Sequence, residues 1–452
     1  MKSNNEQLKY HFVATFFLIF FGSQYSLIEA SPLHEAVLDE DVEQVCQLIV
    51  DGADINSDDF YDLSTPLHIA VDFDLFDIAQ ILIEAGADIE CKNEEGFSPL
   101  YIAVKNYSLN MMRFLIKAGA DVNTKNYHGQ TPLHESIISN SVPTIMLFIA
   151  AEADLDGKDE HGLTPLYLAI EDDVIEIILL LCEKGANVGA VTNDDMTLLH
   201  LAVQNRMTKV VKLLILKGVD LNEKNNQGDT PLHCAVQNND IDMIKILILA
   251  GADIHSHNYE GETPLHQSVY YYSNQMVQLL VQLGADVDSK DYAGMTPLHK
   301  AVCCNAKEII VILLEAGADI ELKCNYEYSP LHLSAHLNLV ESSKILIDYG
   351  ADITSTNYEE STALHEAVKL NAIDVIPILI ASGMDVKSRD YHGNTACDYC
   401  LTEEVRSLFE HSNSVDTNEN NVLWMTFSPA TCLLTLVTVA VWYELYHVIN
   451  HP

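Results

Sequence analysis

Apolar and polar positions alternate along this chain in short blocks with helical spacing. A representative stretch runs Thr230-Pro-Leu-His-Cys-Ala-Val236, breaks at polar residues, resumes as Ile241-Asp-Met-Ile-Lys-Ile-Leu-Ile-Leu249 and stops at Gly251. The block recurs: a Thr/Ser-Pro-Leu-His-like tetrapeptide starts at Ser31, Thr65, Ser98, Thr131, Thr164, Thr197, Thr230, Thr263, Thr296, Ser329, Thr362 and Thr395. The spacing is 33 residues throughout, except for a first step of 34. A fixed period of this size marks a stacked repeat architecture. The pattern predicts helix, turn, helix and finger in each unit. Thr or Ser is the N-cap of the first helix, and proline at the first helical position has no hydrogen bond to lose. Glycine closes the second helix in the left-handed conformation, at Gly251 and its equivalents 52, 86, 119, 185, 218, 284, 317, 350 and 383, with Glu152 the one departure. A second glycine stands two residues before many N-caps, as at Gly228, Gly261 and Gly294. Glu327 and Glu360 replace it in two fingers, which are expected to be less regular because Glu tolerates positive φ poorly.

These units resemble ankyrin repeats, matching Thr-Pro-Leu-His, the following Ala and the Gly-Ala-Asp at nearly every place over residues 31–411. Departures are local: Tyr101 and Tyr167 replace the motif histidine, and Leu198 and Ala363 replace its proline. The resemblance implies an all-α solenoid of about twelve stacked helix-turn-helix units with finger hairpins, binding through its concave face and fingers. It also implies that the motif histidines 34, 68, 134, 200, 233, 266, 299, 332 and 365 tie neighbouring repeats together by hydrogen bonds. No single unit can bury its apolar face alone, so neighbours must stack. The final unit, Asn394-Thr-Ala-Cys-Asp-Tyr-Cys400 with Glu403-Glu-Val-Arg-Ser-Leu-Phe409, reads as a polar-faced closing cap.

Both ends of the chain carry membrane signals. Residues 1–30 read as a signal peptide or signal anchor, with the apolar run Phe12–Phe21 and cleavage expected at Ala30. A polar, acidic linker spans 412–421, an uncharged run spans 422–443 and a short tail spans 444–452. The uncharged run has 22 residues, giving roughly 33 Å of helix, enough to cross a bilayer. Trp424 and Trp442 would sit near its two interfaces. The fold class therefore includes one C-terminal transmembrane helix. A working signal places the repeats on the luminal or extracellular side, whereas the family's common habit and the cysteine pattern favour the cytosol. Asn106-Tyr-Ser108 is the chain's glycosylation sequon, expected in the exposed break between two helices.

Composition narrows the partner. Acidic residues outnumber basic ones 66 to 24, a formal charge of -42. Such a surface repels phosphate backbones, which argues against nucleic acid and favours a basic protein. Four residues before the N-cap, tyrosine recurs at Tyr61, Tyr127, Tyr259, Tyr292, Tyr358 and Tyr391, with Tyr326 one place out of register. In a stack this position becomes a stripe along one edge, and tyrosine is enriched at binding hot spots. The ten cysteines, at 46, 91, 182, 234, 303, 304, 324, 397, 400 and 432, show no zinc or disulfide spacing. Cys397-x-x-Cys400 occupies the motif leucine and alanine slots, both core positions. No phosphate loop, kinase signature, nucleophile elbow or metalloprotease pattern is present. The expectation is a membrane-tethered interaction scaffold that uses no cofactor or metal and catalyses nothing. The alternative is a secreted, toxin-like effector acting at a target membrane.

Overall fold

The structure, a computed structural model, describes residues 31–58 and 62–412. These divide after Asn226 into two compact units. The first unit contains six helix pairs. Their first helices are Pro32–Leu38, Pro66–Asp72, Pro99–Lys105, Pro132–Ile138, Pro165–Glu171 and Leu198–Gln204. The second helices are Val42–Val50, Phe76–Glu84, Leu109–Ala118, Val142–Ala150, Ile175–Lys184 and Thr208–Leu216. The second unit repeats the scheme, with first helices Pro231–Gln237, Pro264–Tyr270, Pro297–Cys303, Pro330–His336 and Ala363–Lys369. Their partners are Ile241–Ala250, Asn274–Gln282, Lys307–Glu315, Val340–Asp348 and Ile376–Ala381. A 3-10 turn, Ala396–Tyr399, and the helix Glu403–Ser412 follow. Among the described residues the fingers hold only isolated antiparallel bridges, such as Thr356 with Thr362, and no extended strand.

Each first helix begins where the sequence places it. Thr65 is extended (φ -81°, ψ 164°) and Pro66 opens the helix. Leu198 and Ala363 start their helices at the same point without proline, so the threonine cap suffices. The core is assembled from the motif leucine, alanine and valine of the first helix and an apolar stripe of the second. Leu67, Ala70, Val71, Ala79 and Leu82 are all fully buried. Each buried leucine contributes about 2 kcal/mol relative to exposure. In the last helix Val405 and Phe409 face inward while Glu403, Glu404 and Arg406 are exposed, the polar outer face expected of a cap.

The second helices end at left-handed residues as predicted, with Gly251 at φ 105°, and Glu152 adopts the same conformation at φ 58°. The expectation of irregular fingers at Glu327 and Glu360 is corrected. Both take left-handed φ, 60° and 57°, and keep the finger hydrogen bonds, Glu327 N–H to Cys324 O at 2.8 Å and Glu360 N–H to Asn357 O at 3.0 Å. Leu63 and Asp195 hold the same position at φ 57° and 56°. The hydrogen-bonded turn thus over-determines the backbone and absorbs the steric cost of a Cβ, about 1–2 kcal/mol. Glycine is required where the next finger approaches closely: a Cβ on Gly261 would lie 2.6 Å from the Tyr292 nitrogen.

No helix among the described residues is long and apolar enough to cross a membrane. The expected signal segment 1–30, most of the linker, the run 422–443 and the tail lie outside the described residues.

Candidate partner-binding surface

The motif histidines are structural in the way the resemblance implies. In eight of them Nε2 reaches the carbonyl just before the next N-cap, from His34 to Ser64 O at 2.9 Å to His365 to Asn394 O at 3.3 Å. On the other side of the ring, Nδ1 accepts the N-cap's own amide, as from Thr65 N–H at 3.0 Å to His68. A backbone N–H pointing at Nδ1 requires the neutral ring with its proton on Nε2. His68, His134, His233, His266, His299 and His365 thereby close a reciprocal cap on their own helix and bond the following repeat, while at His34 and His332 the serine hydroxyl meets Nδ1 instead. Burial lowers the pKa of His68, His134, His266 and His365, and takes His299 and His332 down to about 4. Where Tyr101 replaces the histidine, its hydroxyl donates to Glu135 Oε2 at 3.2 Å and accepts from Asn126 Nδ2 at 3.1 Å. A different inter-repeat tie fills the same slot.

The finger tyrosines stand on rigid backbone. Tyr259 N–H donates to Gln227 O at 3.2 Å, Tyr292 N–H to Glu260 O at 3.2 Å and Tyr391 N–H to Glu359 O at 2.8 Å, so each of these fingers is bonded to the one before it. The root of the Tyr127, Tyr259 or Tyr292 ring backs onto the preceding finger's glycine, at Gly96, Gly228 and Gly261. The side chains nonetheless remain open: Tyr127, Tyr259, Tyr292, Tyr326, Tyr358 and Tyr391 are 57% to 73% exposed. Asn325 holds the tyrosine slot in its finger, with Nδ2 donating to Tyr292 O at 2.8 Å. Tyr326 is thereby displaced one place yet still exposed. Tyr61 lies outside the described residues. The second unit carries Tyr259, Tyr292, Tyr326, Tyr358 and Tyr391 together.

Two features beside the stripe escaped the sequence reading. Tyr270, Tyr271 and Tyr272 end a first helix and are partly exposed; their succession was the available signal. Of the lysines six residues before an N-cap, Lys224 aside, five form a ladder: Lys92, Lys125, Lys158, Lys290 and Lys323. Each donates to the carbonyl 33 residues on, Lys92 to Lys125 O at 2.7 Å and Lys323 to Thr356 O at 2.6 Å. Several of the chain's few cations are therefore occupied in holding fingers together.

Polar groups are also buried at the base of the second unit's fingers. Lys300, its side chain 9% exposed, pairs with Glu262 Oε1 at 2.9 Å and Asp291 Oδ2 at 2.8 Å. Tyr270 donates to Glu262 at 3.1 Å. Farther along, Glu366 accepts from Tyr328 at 2.7 Å and from Asn357 Nδ2 at 3.1 Å. Burial would raise the pKa of Glu366, but the His336 ring 3.6 Å away, the hydrogen bond from Tyr328 and the charge of Lys369 hold it at about 2.

Cys397 and Cys400, expected in the core, are only half-buried, with their sulfurs 3.8 Å apart. A single 3-10 turn does not carry them inward as a two-turn α-helix does. Burial raises the Cys400 thiol to about 11, an unreactive state. Among the described residues no three His, Cys, Asp or Glu side chains converge as metal ligands would. Asn106 is exposed in the helix–helix break, and its Nδ2 donates to Asp72 O at 3.1 Å and Asp72 Oδ1 at 2.9 Å. The Ser108 hydroxyl bonds Asp74.

The family comparison agrees with this architecture. The family model described as "Ankyrin repeats (3 copies)" matches residues 33–126, 123–192, 185–258, 239–324 and 321–390. Protein phosphatase 1 regulatory subunit 27 of Homo sapiens is 47% identical over 64 residues, 14% of this chain and 41% of that protein. The Mus musculus protein gives the same figures. The chain thus spans about two fifths of the length of these curated relatives. Among solved structures, the ankyrin repeat domain of Bcl-3, a unique member of the IkappaB protein family, is 28% identical with a TM-score of 0.46, covering 48% of this chain and 100% of that one.

Proposed function

The chain belongs to the ankyrin repeat family, and on that premise we propose that its second unit holds a protein partner on the tyrosine-bearing fingers. Ankyrin repeats are protein–protein interaction domains. The observation that carries the finer reading is that Tyr259, Tyr292, Tyr326, Tyr358 and Tyr391 stay more than half exposed on fingers whose backbones are bonded in place. Amphipathic rings on a rigid frame lose little entropy on binding. The acidic charge favours a basic partner by steering and orientation. A matched relative is by its name a regulatory subunit, in keeping with a non-catalytic role. Replacing Tyr259, Tyr292, Tyr358 and Tyr391 together by serine should reduce the proteins that co-purify with the full-length chain at least about tenfold, with thermal unfolding unchanged. Undiminished recovery of the same proteins would overturn the assignment.

We also infer that residues 422–443 tether the array to a membrane and that residues 1–30 send it into the secretory route. The support is the uncharged run with its flanking tryptophans and the apolar N-terminal core. Because the Asn106 amide is engaged by Asp72 in the folded array, glycan transfer would have to precede folding. Expression in eukaryotic cells should give a glycosidase-sensitive mass shift that Asn106→Gln abolishes. Digestion of unshifted repeats from the cytosolic side of intact vesicles would overturn the luminal placement while leaving the tether standing.

A further inference from the structure

A cleft of about 170 Å³ opens between the first three repeats of the first unit. Its floor is apolar, formed by Ile69, Phe73, Phe97 and Ile102. Its lining also carries carboxylates: Asp62 and Glu95 from two fingers, and Asp72 from the end of a first helix. Phe97 is held flat against Tyr101, ring centres 4.6 Å apart and planes within 2°. Lys105, itself part of the cleft's lining, already occupies Phe97 and Glu95 and shows what this chemistry recognises. Its ammonium sits 4.2 Å from the centre of the Phe97 ring and 3.8 Å from Glu95 Oε2. Asp62 and Asp72 have no such match: among the described residues no cation forms an ion pair with either. Among the described residues the Asp62 carboxylate accepts from Ser64 N–H at 2.9 Å and that of Asp72 from Asn106 Nδ2 at 2.9 Å, neutral donors that leave the charge uncompensated.

We propose that this cleft receives an arginine side chain from an extended basic segment of a protein partner. A side chain with an apolar stem and a cationic head matches a cleft lined by apolar side chains and carboxylates. Arginine fits better than lysine. Its planar guanidinium takes carboxylates in bidentate fashion and gives up water more readily than an ammonium. This surface is separate from the second unit's tyrosine stripe and its recognition chemistry differs, so either reading can fail without the other.

The test uses the purified full-length chain at physiological ionic strength and a short fluorescent peptide of alternating serine and arginine. The same peptide with citrulline, a neutral isostere, and one with lysine serve as comparisons. Binding should weaken at least about tenfold with citrulline and clearly with lysine. Asp62→Asn with Asp72→Asn should weaken arginine-peptide binding by a similar factor. Asparagine retains the oxygen that accepts from Ser64 and from Asn106, so the fold survives. Glu403→Gln with Glu404→Gln, on the exposed last helix, removes the same charge elsewhere and should have little effect. Equal losses from the two pairs would show a diffuse charge effect and overturn the site, as would citrulline binding as tightly as arginine. Lysine binding equally well would overturn the assignment to arginine.

Discussion

Replacing Lys300 by methionine is expected to destabilise the second unit by about 3–5 kcal/mol, the cost of leaving a buried charge uncompensated. Glu262 and Asp291 face Lys300 with side chains only 5% and 3% exposed. Without the ammonium, two like charges would remain in the finger base. Burial alone would lower the Lys300 pKa, but Glu262, Tyr270 and Asp291 outweigh it and hold the amine charged well above its usual range. Neutralising the group is therefore no escape for the native protein. Urea unfolding of the full-length chain, followed by hydrogen exchange to assign the transition, measures the loss. In a repeat protein such damage is local at first, because stability is a sum over units and neighbouring interfaces. The triple variant Lys300→Met, Glu262→Gln, Asp291→Asn should recover most of the stability. A single variant within about 0.5 kcal/mol of the parent, the range of an ordinary surface change, would show that the triad contributes little.

The second large effect is a loss of stability on mild acidification. Six motif histidines have depressed pKa values in the folded state, two of them at about 4. An unfolded histidine titrates near 6.5. Below that pH the unfolded chain binds protons that the buried native rings resist, since Nδ1 of all but His332 already receives an N-cap amide. Stability is therefore full above about pH 6.5 and falls as pH drops, for His299 and His332 by up to about 1.4 kcal/mol per pH unit each down to about pH 4. His299 and His332 alone would contribute about 3 kcal/mol each over that interval. Glu366, whose folded pKa is about 2, adds a loss of the same sign at lower pH, as its unfolded counterpart protonates. Relief of the net charge of -42 acts in the opposite direction. Urea midpoints at pH 7, 6 and 5 should fall steadily. A midpoint that stays flat or rises across that range would refute the neutral-histidine account.

Much of this protein is local, and what is local was legible. A threonine cap, a proline, a glycine stop and a buried leucine each act within one unit, so a period of 33 residues located the helices and their ends. The tyrosine stripe followed from the same arithmetic. The histidine ties crossed from one unit to the next, and they were anticipated only through the family resemblance.

What stayed hidden depends on which polar groups stacking brings face to face. Gln267 meets Asp229 at 3.0 Å across 38 residues, Tyr328 meets Glu366 across the same interval, and Lys300 settles between two carboxylates from different fingers. None of these pairs shares a helix or a turn, and their residue types vary from unit to unit. Glu327 and Glu360 make the same point in reverse. Residue preference alone argued for irregular fingers, yet the hydrogen bonds of the stacked turn held them in left-handed φ. The sequence by itself determined the repeat, its caps and its apolar face, because those are set by neighbours along the chain. The tertiary structure alone decided the buried charge clusters, the lysine ladder and the acidic cleft, because each exists only where consecutive repeats meet.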